Sequence, residues 1–383
     1  MVFLVKSKLY LKHFLCIVAG WIIRIEILFN RSNSLPASPR RILIISCTGL
    51  GNTILAMPFV QGLRMLFGAT SLDIMVADGA SAELLAAANL CHHVHLYPPA
   101  LRKRLSLFKR LRHNRYDLVL LSFPTFSLLF QLLPWLLRSG RNACHNYQQF
   151  LPFFRHYRSL YQAIIVVDEK AHDVEQNLAL LKAFVAEAPR FTAYPRLAFT
   201  EEHLEFAREF FAANDIQHGV KIAIHPGSKK GTVFKRWPVE NYIALAGRLR
   251  QHFKAHIIFI IGPDEQDLCE TVTKDDFVVL QSNSILSVLA AVKECDIFIS
   301  NDSGMMHAAS LLDIPIFTIW GGTDETRNSA SASRVVNIIN DQVSCRPCVK
   351  FLPDVTCDPD DCRCITGITV DTVFATIQKH TGL

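Results

Sequence analysis

Between an apolar run, DIFIS, and a helix-forming run of small and apolar residues, the chain places Asn301, Asp302, Ser303 and Gly304. The unpaired N–H groups that open a helix, together with the positive end of its dipole, attract an anion such as a diphosphate. Asp302 is a poor neighbour for a phosphate, but a carboxylate suits the hydroxyls of a sugar. The combination points to a sugar carried on a nucleoside diphosphate. A plainer reading has Asp302 or Ser303 only capping the helix, and His307, one turn in, suits packing or capping as well as catalysis.

A second stretch, HPGSKKGTVFKRWP at residues 225–238, ends the apolar KIAIH in Pro226-Gly227-Ser228 and sets Lys229, Lys230, Lys235 and Arg236 close behind. Small residues and several cations at the carboxyl end of a strand suit a phosphate-bearing ligand; a solvated basic loop is the alternative. A third, CTGLGNTILAMP at residues 47–58, puts Gly49 and Gly51 just after RILIIS, where backbone can approach a ligand closely. Ile54 stands where a dinucleotide fingerprint needs its third glycine, so the pattern is also that of an ordinary tight turn.

The elements that must carry these turns repeat one grammar. RILIIS, SLDIMVAD, VHLY and DLVLLS read as strands, separated by helices at about residues 53–67 and 82–88 and by a basic helix from Leu101. After a charged helix near residues 200–214, whose cap is imperfect because His203 stands where a capping box wants Glu or Gln, the grammar restarts. KIAIH, HIIFIIG, DIFIS and PIFTIW alternate with helices after Pro238, at residues 285–294 and after Gly304. Strands alternating with helices predict two parallel, doubly wound α/β domains, with ligands at the carboxyl ends of their strands and a cleft where the domains face each other. The expected division is residues 1–36 as an apolar and basic membrane-associating segment, 37–200 as one domain and 201–383 as the other.

The 383 residues carry a formal charge of +6, distributed unevenly. Residues 1–200 hold 23 Lys and Arg against 10 Asp and Glu, a net of +13, and residues 201–383 hold 17 against 24, a net of −7, so the halves are expected to meet different partners. Half the residues are hydrophobic, which excludes a disordered chain. The apolar run at residues 14–23 is shorter than the roughly 20 residues of a spanning helix; with Lys6, Lys8 and Lys12 ahead of it, it reads as an interfacial helix at an anionic membrane or as a plain packed helix. The basic run from Arg102 to Arg115 reads likewise as membrane-docking or as a solvated face, and no nucleic-acid motif accompanies it. Of eleven cysteines, six are scattered singly as in a reducing compartment, and Cys345, Cys348, Cys357, Cys362 and Cys364 cluster at spacings that match no standard zinc module.

Taken together, RILIISCTGLGNTILAMPFVQGLR, IAIHPGSKKGTVFKRWPVENYIALAGRL, IIGPDEQDL and SNDSGMMHAASLLDIPIFTIWGGTDETR resemble the glycosyltransferase family 9 heptosyltransferases, which add heptose from ADP-heptose to the lipopolysaccharide core. The resemblance implies a GT-B fold, an inverting transfer without a required metal or cofactor, and a peripheral position on the cytoplasmic side of the inner membrane, where the acceptor is a lipid-linked glycan. By position it implies that Lys235 contacts the donor phosphates, Asp302 the sugar, the backbone of Ser303, Gly304, Met305 and Met306 the diphosphate, and Glu265 the nucleoside or sugar. Ser228 and His307 fall among these donor-side residues, Thr323 and Asp324 follow the next strand, and Gly49, Gly51 and Thr53 fall on the acceptor side.

The family's glycine turn continues as Gly-Asp, the aspartate serving as base, whereas this chain has Asn52, whose amide cannot accept the proton. Asp78, His225 or His307 is then left to act as base, or Asn52 only orients the acceptor. Two further readings are a sugar-nucleotide epimerase of the same fold, which would convert donor without acceptor, and a catalytically impaired nucleotide-sugar-binding protein.

Overall fold

The structure is a computed structural model that describes residues 34–349 and 362–382, apart from 69, 152, 191–192, 230 and 332–333. The N-terminal segment read as membrane-associating therefore lies almost entirely outside the described residues, as do Lys230 and Cys357. The chain divides into two compact units, one up to residue 192 and one from residue 193, with residues 86–88 belonging to the second. The break falls a few residues before the expected one, ahead of the helix Glu201–Ala213.

In the first unit the strands are β1 (Arg41–Ser46), β2 (Ser71–Val76), β3 (His93–Leu96), β4 (Leu118–Leu121), β5 (Arg141–His145) and β6 (Ala163–Ile165). They pair in the order β3-β2-β1-β4-β5-β6, all parallel. The second unit has β7 (Lys221–His225), β8 (His256–Ile260), β9 (Val278–Leu280), β10 (Ile297–Asn301), β11 (Ile316–Ile319) and β12 (Val335–Ile338), ordered β12-β11-β10-β7-β8-β9 and again all parallel. Read within each unit, the two orders are the same. Each is the doubly wound arrangement expected of a GT-B protein.

Helices on both faces explain the composition of the strands. Ile42 to Ile45 and Leu118 to Leu121 are completely buried, so side chains of either parity meet apolar neighbours and no polar alternation is needed. In the second unit Ile222, Ile224, Ile297, Ile299, Phe317 and Ile319 pack against Tyr242, Leu245 and Leu249 of the helix Val239–Phe253 and against Val373 and Ile377 of the helix Val370–His380. Cys362 and Cys364 belong to this same core. Among the described residues no group of three His, Cys, Asp or Glu side chains is placed to hold a metal ion.

The helix at Glu201 begins better than its sequence predicts. His203 Nδ1 accepts the N–H of Thr200 at 3.1 Å, so a neutral imidazole does what the expected Glu or Gln would do. Among the described residues no helix is long and apolar enough to cross a membrane.

Candidate active site

The strand order reverses between β7 and β10, the central neighbours of the second sheet, and the chains leaving them must diverge. That divergence opens a crevice at the carboxyl ends, where open α/β sheets bind ligands. Pro226, Gly227 and Ser228 leave β7, and Asp302 and Ser303 leave β10. Two of the three turns singled out in the sequence thus meet at one place.

Lys235 Nζ lies 2.6 Å from Asp302 Oδ2, and Thr323 Oγ1 donates to the same oxygen at 2.7 Å. Asp302 is 5% exposed and Lys235 keeps about a fifth of its side chain open, so the pair is buried on the carboxylate side and accessible on the ammonium side. Burial alone would raise the Asp302 pKa. The Lys235 charge and hydrogen bond, the Thr323 hydroxyl and the nearby His307 outweigh it and hold the carboxyl below the usual range. Asp302 is therefore ionised at neutral pH and can accept sugar hydroxyls.

Beside this pair, Glu265 follows β8, with Oε2 accepting the Gly262 N–H at 2.8 Å and Oε1 3.7 Å from His225 Nε2. Burial pushes its pKa up, but the His225 contact, the Gly262 N–H and the Arg236 charge bring it below the ordinary value. His225 Nδ1 in turn meets Ser303 Oγ at 3.3 Å, and Ser303 Oγ accepts the Met306 N–H at 3.3 Å. The two His225 ring nitrogens thus face the Glu265 carboxylate and the Ser303 hydroxyl. Glycine is required at 227 because a Cβ there would overlap the Glu265 side chain.

Ser303 caps the helix Gly304–Ala309, as its plainer reading has it, and this helix is only six residues long. Gly304, Met305 and Met306 form its first turn, while His307 is buried behind it.

Three residues brace the site. Asn301 Oδ1 accepts the Trp237 N–H and the Tyr242 hydroxyl, both at 2.9 Å, while its Nδ2 donates to the Pro226 carbonyl at 2.7 Å, tying the end of β10 to the loop after β7. Arg236, grouped in sequence with the phosphate-binding cations, donates to Ser228 O at 2.7 Å and Ser228 Oγ at 3.2 Å and pairs with Asp267, so it shapes the loop. Arg346 donates to Gly321 O at 2.6 Å, Thr323 O at 3.1 Å and Glu325 at 2.6 Å, and so fixes the loop that carries Thr323. Asp324 caps Thr326. The sequence signalled Asn301 only as a polar end to a buried strand and Arg346 only as part of the cysteine tail.

Residues 104–355 match glycosyltransferase family 9 (heptosyltransferase). The chain belongs to this family. Lipooligosaccharide heptosyltransferase 2 of Campylobacter jejuni subsp. jejuni serotype O:6 is 24% identical over 220 residues, 55% of this chain and 66% of that protein, just under two thirds of its length. Lipopolysaccharide heptosyltransferase 2 of Escherichia coli K12 is 22% identical over 330 residues, 78% of this chain and 88% of that one. Among solved structures, a family 9 glycosyltransferase from Veillonella parvula superposes with a TM-score of 0.72 at 17% identity, covering 91% of this chain and 99% of that one. The E. coli ADP-heptose lipopolysaccharide heptosyltransferase II does so with a TM-score of 0.67 at 17% identity, covering 88% and 98%. Identities this low carry the fold.

The glycine turn that the resemblance puts on the acceptor side lies in the first unit of this family 9 chain. Gly49 has φ 122°, a conformation that L side chains rarely adopt, and Thr53 N–H donates to its carbonyl at 3.0 Å at the start of the helix Leu50–Leu66. Gly51, Asn52 and Thr53 form the first turn of that helix, with Asn52 half-buried and Thr53 buried 3.4 Å from Ser46. Asp78 spends one carboxylate oxygen capping the next helix at Ser81 N–H, 2.8 Å away.

Proposed function

We propose that this chain is an inverting glycosyltransferase that moves heptose from ADP-heptose to a lipopolysaccharide-core acceptor, working without a metal or cofactor at the anionic cytoplasmic surface of the inner membrane. The observation that carries the reading is the Lys235–Asp302–Thr323 cluster at the strand-order switch of the second sheet. Lys235, open on one side, shares its charge with the departing diphosphate, while Asp302 takes sugar hydroxyls. The buried carboxylate of Glu265, held by Gly262 and facing Gly227, orients the nucleoside or sugar. The family name and the two heptosyltransferases 2 quoted above supply the sugar and the acceptor class.

An inverting transfer forms a bond from an acceptor oxygen to the anomeric carbon on the face opposite the diphosphate, and the C–O bond to the diphosphate breaks with its electron pair. Asn52 accepts the acceptor O–H at its Oδ1 and orients the oxygen without removing the proton. The proton leaves to water once the new bond has formed.

The direct test is transfer from ADP-heptose with Asp302→Ala and Lys235→Ala. Each is expected to lower kcat/KM by about a hundredfold, as removing one preorganised charge at a reacting centre commonly does. Wild-type turnover in both variants would remove the site assignment.

A further inference from the structure

A cavity of about 1160 Å³ lies at the amino ends of β4 and β5, where the helix Leu101–His113 ends. Its walls carry Lys109, Arg110, Arg112, Arg115 and Arg138 against one carboxylate, Asp117. Asp117 Oδ2 already accepts the backbone N–H groups of Arg40 at 2.8 Å and Arg41 at 3.0 Å. Among the described residues none of the five cations is paired with a carboxylate. Five like charges held together unpaired repel one another and lower the free energy of any anion that joins them.

Their placement is costly to the backbone. Arg115 and Arg138 sit at φ 52° and 53°, the left-handed region where glycine or asparagine fits with less strain. The two loops that floor the cavity meet closely, with a Cβ at Gly140 landing 2.7 Å from the Asp117 carbonyl. The backbone that floors the cavity is thus closely packed, while its five cations are exposed side chains.

The helix that forms one wall continues the theme along its exposed side. Leu107 and Leu111 face the core, while Leu101 and Leu105 are 68% and 60% exposed beside Arg102, Lys103 and Lys109. Exposed leucines among unpaired cations suit the boundary of an anionic bilayer, where the apolar groups enter the acyl region and the cations meet phosphates. Ser34 lies at the same end of the sheet, since Arg141, next to Gly140, donates to its carbonyl at 2.8 Å.

We propose that this cavity and the exposed face of the helix Leu101–His113 form the surface through which the chain docks on an anionic bilayer, the cavity taking a lipid phosphate. The proposal rests on the membrane part of the function above and names the surface that carries it. It is independent of the donor site.

The test is co-sedimentation of the full chain with phosphatidylglycerol-containing vesicles, against vesicles of phosphatidylcholine alone, without donor. Arg112→Glu/Arg138→Glu is compared with Lys274→Glu/Lys379→Glu, which makes the same charge change on exposed residues of the second unit. A third variant, Leu101→Ser/Leu105→Ser, leaves the cavity intact. The cavity variant is expected to weaken binding by about tenfold or more, the leucine variant to weaken it too, and the distant variant to bind nearly as wild type. Equal loss in the cavity and distant variants would reduce the effect to net charge and overturn the proposal, as would unchanged binding in the cavity variant. Thermal stabilisation by inorganic phosphate that is lost with the cavity residues, without any loss of vesicle binding, would make this a soluble-anion site and overturn docking. Wild-type protein that ignores both vesicle types would instead refute the membrane reading itself.

Discussion

The amide at Asn52 changes what the acceptor side can do. Under the proposed transfer, the attacking hydroxyl without a carboxylate keeps its proton into the transition state, and general-base assistance typically contributes about 10²- to 10⁴-fold. Asn52→Asp is therefore predicted to raise kcat by about a hundredfold, measured with donor saturating. An unchanged kcat would mean that another group already takes the proton. Asp302 and Ser303 stand out in the sequence as polar residues just past a buried apolar strand, Lys235 as one of the cations behind Gly and Ser, and Glu265 only through the family resemblance; the fold gathers all four at one crevice. Arg236 fits either a phosphate or the loop's own carbonyls in sequence, and its Ser228 contacts show that it shapes the loop. Arg346 was not legible, since it acts on Gly321 and Thr323 across 25 and 23 positions of sequence.

The elements show where local pattern runs out. β1, β4, β7 and β10 were read from sequence because they are apolar runs buried on both faces. β5, RNACH, was not, because its buried Asn142 and His145 find their partners far off in sequence. Asn142 bonds Gln162 and Leu160, and His145 donates to the Gln176 carbonyl at 2.8 Å. The edge strands β6 and β9 are only three residues long and carry too few side chains for a periodicity to show, and β12, VVNI, is broken by the exposed Asn337. Two predictions belong to these joints. Gly227→Ala would force its Cβ into Glu265, so overpacking of about 1–3 kcal/mol is expected, seen as a lowered Tm together with weaker ADP-heptose binding. Unaltered donor affinity would show that Glu265 does not face the donor.

The second joint is Asp73, which links β2, β3 and the chain entering β4. Burial raises its pKa, but His95, Tyr116 and His93 hydrogen bonds push it down to about 2. A carboxyl depressed on folding contributes stability above its ordinary value of about 4 and loses it as pH falls through the depressed one. Asp73→Asn should therefore cost about 2 kcal/mol at neutral pH, with the difference from wild type shrinking between about pH 4 and pH 2 in denaturant melts. A constant difference across that window would assign the loss to packing.

Over the whole molecule, charge and site are set against each other. The half from residue 201 is net −7, yet it holds the site proposed for an anionic donor. The charge of that half gives an anionic donor no general attraction, so binding is expected to rest on short contacts at the strand-order switch, among them Lys235, held on one side by Asp302 and open on the other. Calorimetric titration of ADP-heptose into wild-type protein and Lys235→Ala, with folding of both verified by their melts, addresses this most directly. Binding by the wild type and a loss of about tenfold or more in the variant is expected, in line with one charge-assisted phosphate contact. Equal affinity in the two proteins, or no binding by a folded wild type, would contradict a donor site at Lys235 and Asp302.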